Sequence, residues 1–353
     1  MRNFIFYTAK GFPSCHASNL TELPDGRLAA VWFGGTQEAC PDTAIWGSVL
    51  EDGKWSAPKL YVKHALVAHW NPVLYIDQKK RINLYFKIGK TPETWATFYT
   101  STKDIHGKWS QPNSFSEPLR GPVRSKIITL SNGTIVAGSS EETIFMAAPR
   151  IVIWKSFMEY STNDGKKWQR CADIVLDRKR YGEYGGLIQP ALWESSPGNV
   201  HAFFRSTLGI IFRSDSSDYG KTWSPAEPEM LPNNNSAVDI AKTEDGTLVL
   251  IYNPVQGNWV ARTPISLIFS SGEGRVWKEP VDVEIGRGSF SYPSIIPVKD
   301  GVAYTYTWNR ARIAFDRIQV QTSDSGAINH NVNTANAEKD YAWIEATRRM
   351  SMS

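Results

Sequence analysis

STNDGKKW, residues 161–168, decides how the rest of this chain is read. Its form, Ser-x-Asp/Asn-x-Gly-x-x-Trp, returns as SSDYGKTW at 216–223 and as SSGEGRVW at 270–277, where Gly272 stands in the acid's place. Shorter copies, EDGKW and STKDIHGKW, end at Trp55 and Trp109. The tryptophans at 55, 109, 168, 223 and 277 lie 54, 59, 55 and 54 residues apart. A period near 55 over most of a chain marks a repeat architecture. Within each copy the Asp or Asn folds back on the N–H groups of its own turn. Glycine supplies the positive φ that the turn needs. The tryptophan then leaves on a strand and packs its ring. The motif reads as a hairpin staple, not as a set of catalytic acids.

A second signal runs between the boxes: strand, tight polar turn, strand. The turns are Asp25-Gly26, 77–80, Asn132-Gly133, Pro197-Gly198-Asn199, Asp245-Gly246 and Asp300-Gly301. Asp-Gly and Asn-Gly between apolar runs are strong hairpin signals. Six hairpins and five boxes predict an all-β fold, a six-bladed β-propeller with four-stranded antiparallel blades, over residues 1–320. The segment FIFYTA, 4–9, is a spare strand expected to close the ring on the last blade. Residues 321–353 read as a polar C-terminal tail in which DYAWIEATRRM forms a short helix or stays loosely docked.

Composition narrows the function. The 353 residues carry a net charge of +4 with no Lys/Arg run, which argues against a nucleic-acid partner. Three cysteines, Cys15, Cys40 and Cys171, are too few for a disulfide framework. No apolar stretch is long enough to span a membrane. With no leader-like N-terminus, the expected compartment is the reduced cytoplasm. The sequence sets no oligomeric state.

The segment before each hairpin turn is the innermost strand of its blade. Counting back from the turns gives Asn19, Asn71, Lys126, Gln189, Asp239 and Ser294, six polar positions expected to ring the axis and bind a ligand. His16 and His69 open the first two inner strands, where neutral imidazoles suit general acid–base work. No metal-ligand spacing occurs, so neither a metal nor a cofactor is expected. Arg124, Arg205, Arg262 and Arg310 each sit at the end of a strand. A guanidinium fork suits an anionic ligand.

With its boxes and the segments LPNNNSAVDI, FRSTLGIIFRSDSSDYGKTWSP and SYPSII, the chain resembles the sialidase-like Asp-box (BNR repeat) propellers over roughly residues 12–317. It is most similar to a subgroup of predicted neuraminidases. The resemblance implies an exo-acting glycosidase. Asp42, or failing that Glu38, would be the general acid on the loop FGGTQEACPD. Tyr292 would be the nucleophile, an accepted exception to paired-carboxylate hydrolysis. Glu183 would be its activator, and Arg124, Arg205 and Arg262 would grip a substrate carboxylate. The Phe-Arg-Ile-Pro signature that supplies one such arginine is absent, and FPSCHASN near its place offers His16 instead.

Three further readings stay open. A uronate-type glycan lyase would use His16, His69, Tyr292 and Arg124 for β-elimination. A cytoplasmic enzyme of secondary metabolism would catalyse dehydration, isomerisation or cycloaddition, with Trp32, Trp70 and Trp308 orienting the intermediate. The last is a binding propeller without catalysis. All expect a small-molecule or glycan partner, and fold alone does not choose among them.

Overall fold

The computed structural model describes residues 3–64, 66–115, 118–323 and 327–332. The helix DYAWIEATRRM therefore lies outside the described residues. The strands sort into six antiparallel sheets, each laid down in chain order. The blades cover 14–62, 69–114, 128–170, 187–232, 239–284 and 290–330. In the first, the outer position is split. Lys54–Trp55 and Lys59–Val62 pair with opposite ends of Ala44–Glu51, giving a five-stranded sheet. The sixth blade runs past residue 320: Arg312–Thr322 pairs with Ile328–His330. The one helix among the described residues is the single turn Arg178–Tyr181, capped by Asp177. No described helix is long and apolar enough to cross a membrane.

Blades bury both faces, so their middle strands are continuous apolar runs; Leu28–Gly35 is buried throughout. Six apolar clusters hold the ring, and each fills one seam between neighbouring blades. The box tryptophans pack into these seams, each against the blade before its own. Trp223 lies against Val136 and Met158 of blade 3, and Trp168 joins Tyr75 and Tyr85 of blade 2. The turns are built as their residue types require. The Asp218 carboxylate accepts from Lys221 N at 3.0 Å and Thr222 N at 2.9 Å, while Ser216 Oγ accepts from Gly220 N at 3.0 Å. Gly220 takes φ 78°. The ring closes where the N-terminal segment meets blade 6: Phe4 bridges to Ala314, and Ile5 N donates to Ile313 O at 2.9 Å.

Four inner strands carry the same irregularity. Between His16 and Asn19, Trp70 and Val73, Ile188 and Ala191, and Ser291 and Ser294, two residues oppose one on the partner strand. The first residue of each bulge is left-handed: Ala17 (φ 55°), Asn71 (41°), Gln189 (58°) and Tyr292 (55°). In three of the four the next residue is proline, which has no N–H to leave unpaired at such a point.

Candidate active site at the axis

The bulges lie at the beginnings of the inner strands. The second strands run antiparallel, so their last residues, Arg205 and Trp308 among them, reach the same rim. The connections 36–43, 115–127, 253–264 and 309–311 are there too, whereas the boxes turn at the opposite rim. All four candidate arginines thus converge on one end of the axis.

Tyr292 is the centre of this cluster. The guanidinium carbons of Arg124, Arg205 and Arg262 stand 5.5, 5.7 and 5.3 Å from its ring centroid. Arg205 Nη1 donates to the Tyr292 hydroxyl at 2.7 Å and to Gln189 Oε1 at 3.1 Å, and its Nε donates to Asn235 Oδ1 at 2.9 Å. Arg124 donates through Nη2 to Pro293 O, reaching from the third blade to the sixth, on the opposite side of the axis. Its Nε and Nη1 are buried and find no partner among the described residues. Arg262 donates to Ser291 Oγ at 3.3 Å, and Arg310 pairs with Glu38. Burial alone would raise the Tyr292 pKa, but Arg205 and Arg262 outweigh burial and leave it below the usual phenol value.

His16 packs on Tyr292 with ring centroids 4.1 Å apart. Its Nδ1 is 3.0 Å from Thr307 Oγ1, and its buried Nε2 has no partner among the described residues. Burial first, then the charges of Arg310, Arg262, Arg124 and Arg205, hold its pKa well below the usual value. His16 is therefore neutral at neutral pH and presents an uncommitted ring nitrogen.

The structure corrects several expectations. His69 donates or accepts at both nitrogens: Nδ1 meets Val67 O at 2.9 Å and Nε2 accepts from His64 N at 3.0 Å. It is a structural histidine, with burial lowering its pKa to about 4. Asp42 accepts from Thr36 N at 2.8 Å and Thr36 Oγ1 at 2.7 Å on an exposed loop. Those bonds hold its pKa down, so it keeps its charge and is a poor proton donor. Glu38 is the loop acid that faces the cluster: its charge acts on both Tyr292 and Arg262. Glu183 is exposed after the short helix, and the amide of Gln189, not that carboxylate, stands beside the Tyr292 hydroxyl. Trp70 spends its Nε1–H on Gly89 O at 2.8 Å and packs in a blade seam.

Nor do the six polar positions form one ring. Asn71 and Gln189 belong to the bulge tier. Asn19, Asp239 and Ser294 lie one step further along and tie blades together. They accept from Leu74 N at 2.9 Å, Ile295 N at 3.0 Å and Leu20 N at 3.1 Å, each in the next blade. Lys126 is drawn into the same tier by Asp239, with Nζ 2.7 Å from Oδ1 and 2.6 Å from Ile240 O. Asn71 donates to Val123 O at 3.0 Å.

Sequence reading missed three residues of the mouth. Trp154 and Trp259 each lie 5.4 Å from the Arg205 guanidinium carbon. Glu142 accepts from Trp154 Nε1 at 2.9 Å, and burial pushes its carboxyl up against the pull of Arg205. The signal for the bulge tier was available: Asn71-Pro72, Gln189-Pro190 and Tyr292-Pro293 place x-Pro inside an inner strand each time. Among the described residues no cluster of His, Cys, Asp and Glu could hold a metal ion.

The family model described as BNR repeat-like domain matches residues 26–305. The chain belongs to the BNR repeat-like family. No curated protein matches it in sequence. This BNR repeat-like propeller is similar to a protein of unknown function from Dyadobacter fermentans: 15% identity, TM-score 0.74, covering 91% of this chain and 98% of that one. It also resembles the Hadza microbial sialidase Hz136, at 16% identity and TM-score 0.70, covering 86% of this chain and 65% of that one. The Trypanosoma rangeli sialidase is 15% identical with TM-score 0.65, covering 88% of this chain and 55% of that one. The BNR repeat-like chain thus spans just under two thirds of Hz136 and about half of the trypanosome enzyme. At these identities the likeness is one of fold alone.

Proposed function

We propose that this protein is a sialidase-like propeller enzyme that seats a small anionic or polyhydroxylated ligand on Arg124, Arg205 and Arg262 and moves a proton through Tyr292. The observation that carries this reading is the 2.7 Å bond from Arg205 to the Tyr292 hydroxyl, inside a set of three guanidinium groups. A phenol so placed exchanges its proton nearer neutrality, and an anion formed on the ligand meets preorganised donors. The free nitrogens of Arg124 are the unfilled part of the grip. His16 Nε2, without a partner among the described residues, would donate to or accept from a ligand hydroxyl according to its tautomer.

Elimination, dehydration or isomerisation fits these groups better than glycosyl hydrolysis. Beside Tyr292 stands the neutral amide of Gln189 where an activating carboxylate would be wanted, and Asp42 is held ionised. The test is to offer a fluorogenic sialoside and a uronate-terminated oligosaccharide to the wild type and to Tyr292→Phe. An unsaturated chromophore formed by the wild type and lost in the variant is expected. Aglycone release from the sialoside would move the assignment to an exo-glycosidase. Undiminished turnover by Tyr292→Phe would overturn the role given to the phenol.

A further inference from the structure

The mouth of the site is lopsided. The second strand of blade 3, Ile135–Ala147, has 13 residues, while its counterparts have at most 8. The extra five residues carry the hairpin about 16 Å beyond the rim. Its tip exposes Ile144, Phe145 and Met146. Tyr184 stands 6.2 Å from Phe145 between ring centroids, and Trp259 with Val260 rises from the 253–264 connection. These are six of the twelve large apolar side chains that the described residues leave exposed, so the apolar exposure is gathered at one place rather than scattered.

This lip is continuous with the arginines. Trp154 joins the two, crossing Trp259 edge to face at 6.4 Å and lying close over Gly186, where a Cβ would meet its own Cβ at 2.8 Å. Both indoles stack near the Arg205 guanidinium that holds Tyr292. Trp259 is 60% exposed and held at φ 60°, a conformation that costs a bulky residue energy. Trp154, Arg205 and Arg262 cover only part of its ring, and the part left open points to a contact made by something outside the chain.

We infer that the ligand is amphiphilic: one anionic end meets the arginines, and a sizeable apolar carbon skeleton lies on the lip formed by Phe145, Trp154 and Trp259. This rests on the arginine site proposed above and names its substrate class. Aromatic rings alone would also suit a sugar, but Ile144, Met146 and Val260 offer no hydrogen bonds to hydroxyl groups. The aliphatic side chains decide for a hydrocarbon body; the uronate offered above probes the arginine site alone.

The test is a calorimetric titration with straight-chain carboxylates from acetate to octanoate. Affinity is expected to rise two- to fourfold with each added methylene, up to roughly the gain for a fully buried one. The double variant Phe145→Ser, Trp259→Asn changes exposed side chains and keeps a residue that tolerates left-handed backbone. It is expected to flatten the rise, read as the ratio of octanoate to acetate affinity within each protein, so that the lost contact between Trp259 and Arg205 does not enter. Arg124→Gln is expected to weaken every member of the series. Carboxylates that bind through Arg124 with no dependence on chain length would overturn the amphiphilic ligand alone. A rise that persists in the double variant would do the same. Acetate binding indifferent to Arg124→Gln would overturn the arginine site instead, and no binding by any member overturns both.

Discussion

Arg205 and Tyr292 come from strands 87 residues apart and meet through a 2.7 Å hydrogen bond at the axis of the ring. Arg205 is 1% exposed, so its charge is scarcely screened. The bond favours the phenolate over the phenol. Phenolate absorbance is therefore expected to show one tyrosine titrating below the rest, a step missing from Tyr292→Phe. Arg205→Gln is expected to move that step upward. Turnover by Tyr292→Phe is expected to fall about 100- to 10,000-fold, the usual worth of a positioned acid or base.

Gln189 offers a second handle on the same phenol. Gln189→Glu places a carboxylate where the amide now accepts from Arg205 at 3.1 Å. A charge there competes for the guanidinium and opposes ionisation of its neighbour. The low tyrosine step is expected to shift to higher pH, read by the same absorbance titration. A step that stays in place would show that Gln189 has no electrical hold on Tyr292.

Arg124 is buried with two nitrogens unsatisfied, a cost the fold bears without a ligand. Arg124→Met removes that cost along with the bond to Pro293 O. Its Tm is expected to equal or exceed that of the wild type. Added sulfate is expected to raise the wild-type Tm and leave the variant unmoved, which thermal denaturation with and without the salt will measure.

Partly buried Lys126 and fully buried Asp239 form a pair at 2.7 Å. Lys126→Met strands the Asp239 charge and is expected to cost about 3–5 kcal/mol in urea denaturation. Asp239→Asn can still accept from Ile295 N and is expected to cost less. Equal losses would mean that the inter-blade bond, not the charge pair, supplies the stability.

Asp215 gives the acid limb of stability. Its burial opposes ionisation, but bonds from His201 and Arg213 hold its pKa down to about 2 against an ordinary 3.8. A carboxyl depressed on folding stabilises above its unfolded pKa, and that contribution is lost as pH falls through the folded one. The loss is expected between about pH 4 and 2 and amounts to roughly 2 kcal/mol at most. Asp215→Asn should lower stability at neutral pH and remove that part of the acid transition.

Much of the ring was legible because its signals are local. A Ser-x-Asp-x-Gly-x-x-Trp turn carries its own hydrogen bonds, and a hairpin needs only its glycine and flanking β formers. Repeated at a fixed interval, they specify both blade and number of blades. Tyr292 and the arginines were singled out by family likeness and by their places at strand ends, and the fold brings them together at one rim. The bulge tier was missed because positions were counted from each turn and not from the strand register: Asn71 and Gln189 stand with Ala17, two residues before the place that Asn19 holds in its own strand. His69 and Asp42 looked reactive in sequence because nothing local reveals that Val67 O, His64 N and Thr36 occupy their polar atoms.

The amino-acid order by itself settled the six-bladed ring, its stapled turns and the rim where strands begin, since those depend on contacts within a few residues. Which polar groups stay free was decided only in three dimensions. Asn19, Asp239 and Ser294 became fastenings between blades, while Arg124, Arg205, Arg262 and His16 were left around one phenol. A side chain's chemistry depends on its neighbours' charge and hydrogen bonds, and in a closed ring those neighbours arrive from the far side of the chain.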